Sequence, residues 1–381
     1  MSRDLLLELA HTYGTPTYVY DLDTVSQQVS ALRGAFPYAD LRYAVKANPC
    51  GAVLRHLAAH TLGAEVITLG ELERTLRAGF APGHILLGGP KQDDALRRRA
   101  LQAGVKWVSL DSVSQWERWQ QDLEGQVRFL VRLNPALDPH THEHLATGAA
   151  DSKFGMTLEE AREVAEALGD RLAGFHVHAG SQIAEMSVYD EIFSVLKPLY
   201  ARFPNADTLD LGGGFAVPDF PLERFADKVS SFLKNLDVTL ILEPGRYLVA
   251  ESGVLLTEVL HVKKGARHHV IADAGMADLL RPALYGAAHP IRALTRGGEE
   301  VTVDVDGPLC ENADRLGRSV QLPKVTRGDL LVVEQAGAYG LSMASNYASS
   351  LRPAEVVLQN GEARVARRRE EIEDLWRLEC D

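Results

Sequence analysis

The chain lacks any apolar run long enough to cross a bilayer, so no transmembrane helix is expected. It is also poor in cysteine. Cys50, Cys310 and Cys380 are odd in number and far apart, which argues against a disulfide framework and against a clustered zinc site. An excess of basic residues is missing as well: 40 Lys and Arg stand against 52 Asp and Glu, a formal net charge of -12, with both signs mixed along the sequence. That balance disfavours nucleic acid or an anionic membrane as the main partner. The N-terminus, Met1 to Glu8, sets acids around a very short apolar run, unlike the basic-then-apolar order of a secretory signal. Repeats of fixed period and low-complexity tracts are absent. These features predict a cytoplasmic protein whose partners are small molecules and other subunits.

What is present is a chain of 381 residues, enough for two domains, one of them a large α/β barrel. Residues 1 to about 24 read as a short helix and a strand, Thr17 to Tyr20, isolated by Gly14 and Pro16 and without a local partner. From there to about residue 250, apolar runs alternate with amphipathic helical stretches, the pattern of a parallel sheet with crossover helices. The runs are Leu41 to Lys46, Ala64 to Thr68, His84 to Leu87, Trp107 to Leu110, Val127 to Leu133, Gly174 to His178, Thr208 to Leu211 and Thr239 to Leu242. Eight βα units of this kind predict an α/β fold, a (β/α)8 TIM barrel over residues 25–250. Past Ser252 the rhythm becomes strands joined by turns: Val254 to Val262, His269 to Asp273, Val301 to Val305, Asp329 to Val333 and Glu355 to Leu358, then a helical stretch from Arg369 to Leu378. This predicts a second, mainly antiparallel β domain of residues 251–381, completed by residues 1–24, with the barrel inserted between its parts.

The unusual residues of the barrel fall at the C-terminal ends of its strands, where this fold carries its active site. Lys46 ends an apolar run and is closed at once by Asn48-Pro49. Desolvated there, its amine loses its proton and becomes a nucleophile for Schiff-base chemistry; a lysine that merely snorkels to solvent would do nothing. Gly212-Gly213-Gly214 lets backbone N–H groups close on an anion, and Ser181 with Gly245-Arg246 extends that segment into a phosphate cradle, a plain turn being the alternative. His176 and His178 share one face of the sixth strand, as a ring stacked on a flat cofactor, as metal ligands or as core histidines. His140, His142 and His144 alternate too, in a stretch that reads as a loop, with metal binding the lesser option. Glu243, in the barrel mouth, must be paired or protonated; a pyridinium N–H is one fitting partner and Arg246 another. In the second domain Cys310 and Glu311 set a thiol beside a carboxylate, and Tyr339 stands between glycines. If these serve the same site, the β domain must reach it within the chain or across a dimer.

In order along the chain stand YAVKAN, DPHTHEHLATGAADSKFG, HVHAGSQ, LDLGGGF, EPGRYLV, RPALYGA, GPLCEN and GAYGLSMASNY. With these the sequence resembles, over nearly its whole length, the pyridoxal-phosphate decarboxylases with an alanine-racemase-like barrel, most closely the branch acting on meso-diaminopimelate. The resemblance implies pyridoxal 5'-phosphate as cofactor, attached through Lys46, with His178 stacked on its ring and Glu243 on its pyridine nitrogen. It implies phosphate contacts from Ser181, from Gly212, Gly213 and Gly214, and from the backbone of Gly245 and Arg246, and no metal. Arg246, Arg281, Tyr285, Glu311 and Tyr339 would line the substrate pocket, Tyr339 touching the cofactor as well. Cys310 would return the proton, and with Glu311 it would come from the other subunit of a head-to-tail homodimer. The implied reaction is decarboxylation to L-lysine; decarboxylation of ornithine, lysine or arginine is the nearest rival. A racemase would carry an arginine where Glu243 stands, and a barrel metal hydrolase would use His176 and His178 as ligands. Glu65, Ala179, Asn312 and Ala313 depart from the family's usual residues close to the site.

Overall fold

The computed structural model describes residues 1–122, 127–135, 152–234, 236–295 and 297–380; His140, His142 and His144 lie outside the described residues. The chain divides into two compact units, residues 27–247, and residues 1–26 together with 248–381. It opens with helix α1 (Arg3–Tyr13) and strand β1 (Thr17–Asp21), both in the discontinuous unit.

The continuous unit is built on β2 (Asp40–Ala44), β3 (Gly63–Val66), β4 (Ile85–Leu87), β5 (Trp107–Leu110), β6 (Arg128–Leu133), β7 (Leu172–Val177), β8 (Thr208–Asp210) and β9 (Thr239–Leu242). Neighbours pair in parallel in chain order, and β2 pairs with β9, Asp40 opposite Ile241, so the barrel closes as predicted. Strands covered on both faces have no polar side to show, which is why these segments read as apolar runs rather than alternations. Leu86, Leu130, Ala173 and Ile241 pack together as one buried cluster, each fully buried leucine or isoleucine stabilising by about 1.5–3 kcal/mol. Gly174 is required on β7, because a Cβ there would lie 1.7 Å from the Thr208 carbonyl oxygen on the next strand. Helices return the chain between strands; Leu69–Ala78, for example, is started by the Thr68 side chain, which accepts from the Glu71 N–H, and stopped by left-handed Gly79.

One strand end differs from expectation. β2 stops at Ala44, whose N–H donates to the Pro244 carbonyl, and Val45–Ala47 then coil into a 3-10 turn. Lys46 therefore sits on the turn beyond the strand, not on the strand itself.

The second unit carries β10 (Gly253–Lys264), β11 (His268–Ala272), β12 (Ile291–Ala293), β13 (Glu300–Asp306), β14 (Arg315–Pro323), β15 (Leu330–Val333), β16 (Ala354–Gln359) and β17 (Glu362–Arg367). Their order is β14-β13-β11-β10-β1-β16-β17, with β15 on β10 and β12 on β15. The isolated strand of the sequence finds its place here: β1 runs antiparallel to β10 and parallel to β16. Leu6, Leu9 and Ala10 of α1 pack against Val19, Leu256, Val332 and Val356 of the sheet. Three strands were not foreseen, β12, β14 and β17; β14 and β17 are largely polar edge strands without an apolar run to mark them. The helical stretch expected from Arg369 to Leu378 shrinks to a 3-10 turn, Ile372–Leu375. There Asp374 accepts from the Glu371 N–H and pairs with Arg368 at 2.6 Å, which closes a single turn. No helix among the described residues is long and apolar enough to cross a membrane.

Candidate active site

Lys46 is about a third exposed, and its Nζ lies 2.6 Å from Oε2 of Glu65, which is buried on β3. The lysine is thus not the desolvated, unpaired amine that the sequence suggested; the carboxylate of the next strand holds it. Glu65 is also one of the departures from the family pattern, and its carboxylate reaches the amine. Beside it, Glu71 accepts from the Ile67 N–H at 2.8 Å. Burial pushes Glu71 up to about 7, the Ile67 bond opposing, Glu65 adding and Lys46 opposing.

Further round the barrel, His176 on β7 shares a 2.7 Å hydrogen bond between Nδ1 and the Ser109 hydroxyl of β5, and its Nε2 stands 3.9 Å from Oε2 of Glu243. His178, just past β7, accepts at Nδ1 from the Gly213 N–H at 3.3 Å. The two histidines therefore do not converge as a ligand pair. Burial first, then the charges of Arg132 and Lys46, push His178 down to about 3; His176 is lowered as well, by burial, Arg132, His178 and Lys46. Both rings are neutral at ordinary pH. Arg132 itself is paired with buried Asp111 at 2.7 Å.

Glu243 follows β9 and is buried. Arg246 is not its partner; that guanidinium donates to the Ser181 hydroxyl at 3.2 Å. Among the described residues, Glu243 Oε1, Asp210 Oδ2 and His176 Nε2 are buried without an ordinary donor–acceptor partner, and the Asp210 and Glu243 carboxyls face each other closely enough to share a proton. These three residues present ligand-type atoms within 4.8 Å of one another. Burial, then Asp210 and Glu65, hold the Glu243 carboxyl well above the usual carboxylate range, with Lys46 and Arg132 pulling the other way. An acid in this setting keeps its proton until a cation arrives to face it.

The glycine segment joins these groups. Gly212 donates to Asp210 Oδ1 at 2.8 Å, and its carbonyl accepts from the Glu243 N–H at 2.8 Å. A Cβ on Gly213 would lie 2.3 Å from the Glu243 carbonyl oxygen, and one on Gly214, at φ +90°, 2.1 Å from that of Gly180. Only glycine allows the three loops after β7, β8 and β9 to meet so closely. Ser181, Gly213, Gly214, Gly245 and Arg246, far apart in sequence, are thereby gathered at one rim.

In the β unit, Arg281 begins a short helix, Arg281–Tyr285, that ends on a 65% exposed Tyr285. Arg281 Nη1 is 3.2 Å from Nε2 of buried His289, whose Nδ1 is 3.0 Å from the Glu334 carbonyl. Since that carbonyl can only accept, Nδ1 carries the proton and Nε2 accepts from the guanidinium. His289 had no signal in the sequence. Cys310 and Glu311 are exposed at the tip of the β13–β14 hairpin, and the Tyr347 hydroxyl donates to the Glu311 carboxylate. Tyr339 adopts φ 56°, a left-handed conformation uncommon for a residue that carries a side chain.

The family model described as pyridoxal-dependent decarboxylase, pyridoxal binding domain, matches residues 22–250. The diaminopimelate decarboxylase of Deinococcus radiodurans is 39% identical over 383 residues, covering 100% of this chain and 99% of that protein. That of Actinosynnema pretiosum subsp. auranticum is 41% identical, covering 98% and 90%. Among solved structures, diaminopimelate decarboxylase from Helicobacter pylori complexed with L-lysine superposes with a TM-score of 0.91 at 36% identity, covering 98% of each chain.

Proposed function

Because the chain belongs to the pyridoxal-dependent decarboxylases, we propose that it uses pyridoxal 5'-phosphate to convert meso-diaminopimelate to L-lysine and carbon dioxide. The observation that carries this reading is Glu243, a buried acid that faces Asp210 and is held well above the usual carboxylate range, in the same barrel mouth as a reachable lysine amine and a glycine-built rim. A pyridinium N–H would give that acid a positive partner.

The residues present fit the cofactor. Lys46 would hold it covalently, Glu243 would accept from its ring nitrogen, and Ser181, Gly213, Gly214 and Gly245-Arg246 would take its phosphate. When bound, the cofactor supplies an electron sink for the pair left behind as the carboxylate departs. The chain's own part is positional and electrostatic. Glu65 orients the Lys46 ammonium, and His178, kept neutral by burial and by its positive neighbours, offers a flat ring without adding charge. Arg246 and Arg281 bind carboxylates of the substrate, with Tyr285 and Tyr339 beside them, and Glu311 accepts from the distal ammonium. Cys310 hands a proton to the α carbon, a step worth about 10²–10⁴ in rate.

In this reading Cys310 and Glu311, carried by the β unit of residues 1–26 and 248–381, act in the site of the other subunit of a head-to-tail homodimer. The enzyme works in the cytoplasm, where three free cysteines stay reduced.

Substrate choice rests on the arginines and Glu311 together: a distal centre with both an amine and a carboxylate satisfies them, whereas a simple diamine tail leaves a guanidinium unmatched. Loss of that charged contact costs a few kcal/mol, so kcat/KM for meso-diaminopimelate should exceed that for ornithine by about a hundredfold or more. Lysine and carbon dioxide should form in equal amounts. Equal specificity for the two substrates, or preference for ornithine, would sink the assignment.

A further inference from the structure

Two segments of the β unit carry the groups assigned to substrate binding and proton return. The stretch after β11, residues 273–286, bears Arg281 and Tyr285; the β13–β14 hairpin tip, residues 307–314, bears Cys310 and Glu311. A single side chain is bonded to both. Asp314, only 2% exposed, accepts at Oδ1 from the Met276 N–H at 2.5 Å and at Oδ2 from the Leu309 N–H at 2.6 Å. Its backbone closes the hairpin as well: the Gly307 N–H donates to the Asp314 carbonyl at 2.9 Å, and the Asp314 N–H donates to the Glu311 carbonyl at 3.1 Å.

The carboxylate fits a slot shaped for it. A Cβ on Gly275 would lie 2.3 Å from Oδ1, and one on Gly307 would lie 2.2 Å from the same atom. Any side chain at either glycine would drive the acid out, and a longer acid would not fit between them. Both oxygens are committed to backbone N–H groups, one on each segment, and a charged acceptor makes each bond about twice as strong as a neutral one.

We propose that Asp314 is a positioning residue of the decarboxylation: it ties the segment bearing Arg281 and Tyr285 to the hairpin bearing Cys310 and Glu311, and so fixes the place of each loop in the site it serves. The proposal rests on the functional reading of those four residues given above. In a symmetric dimer every site uses one copy of each segment, so every site feels the tie whichever subunit each segment serves.

An asparagine has the shape of the acid but only one accepting oxygen; its amide would confront the second N–H with a donor. One segment is then released, and a displacement of about 1 Å near the reacting groups is worth about 10² in rate. Asp314→Asn, saturated with pyridoxal 5'-phosphate, should lose about a hundredfold in kcat/KM for meso-diaminopimelate, through a higher KM and a lower kcat together. Its cofactor absorbance should be unchanged. Amide exchange measured on the wild-type chain gives a second readout that needs no variant to fold: the Met276 and Leu309 N–H groups should be protected. Wild-type kcat/KM in folded Asp314→Asn, or unprotected Met276 and Leu309 amides in the wild-type chain, would overturn the proposal. Exchange judges the tie without any turnover, whereas lysine formation by the wild-type enzyme judges the decarboxylase reading, so the two fail separately.

Discussion

Replacing Glu243 with Gln should lower kcat/KM about 10²- to 10³-fold, the loss typical of one preorganised electrostatic group, while leaving the apoprotein at least as stable as before. The two effects have one cause. Burial, with Asp210 and Glu65 nearby, holds the Glu243 carboxyl well above its usual range, so the folded apoprotein keeps a proton that the unfolded chain releases. A carboxyl raised in this way contributes stability that is present below its unfolded pKa and lost as pH rises through its folded pKa. Glutamine has no proton to lose and is free of that penalty. The stability gap between variant and wild-type apoprotein should therefore widen in the variant's favour with increasing pH, read as Tm in a pH series. With the cofactor bound the balance reverses, because an amide cannot hold the ring nitrogen in its protonated form and the electron sink weakens. Wild-type turnover in a folded Glu243→Gln enzyme would remove Glu243 from the cofactor's nitrogen.

Mixing two dead enzymes should give a live one. Lys46→Ala removes the cofactor's attachment and Cys310→Ala the proton donor, so each homodimer should be essentially inactive. If the sites are shared, a heterodimer has one site with both substitutions and one with neither. Random exchange of equal amounts makes half the dimers heterodimers, each with one intact site of two, so about a quarter of wild-type activity should return. No recovery in a mixture shown by native mass spectrometry to contain heterodimers would mean that each site is built from one chain.

Much of the candidate site was legible because the barrel gathers these residues at strand ends, and strand ends are marked locally by glycine, proline and a charged residue after an apolar run. Lys46, His178, Glu243 and the triple glycine all carry that mark. Their partners do not. Glu65 meets Lys46 from 19 residues away and Ser109 meets His176 from 67; Glu65 stood out only as a departure from the family pattern, and Ser109 reads as an ordinary position in a buried strand. Asp210 likewise reads as the end of a short apolar run, and its closeness to Glu243 appears only when β8 and β9 pair. The burial expected of Lys46 failed for a related reason: the strand ends two residues earlier, and the turn lifts the amine toward solvent and toward Glu65. In the β unit, β14 and β17 escaped because their few apolar residues are interrupted by charged and polar ones and form no run. His289 escaped because a histidine in a loop has no pattern at all, although it holds Arg281.

The central claim is that Lys46 carries the cofactor. Borohydride reduction of the enzyme saturated with pyridoxal 5'-phosphate, followed by peptide mapping, tests it without assuming a substrate. The adduct should sit on the peptide containing Lys46 and be absent from Lys46→Ala; a reduced adduct confined to any other lysine would contradict the account.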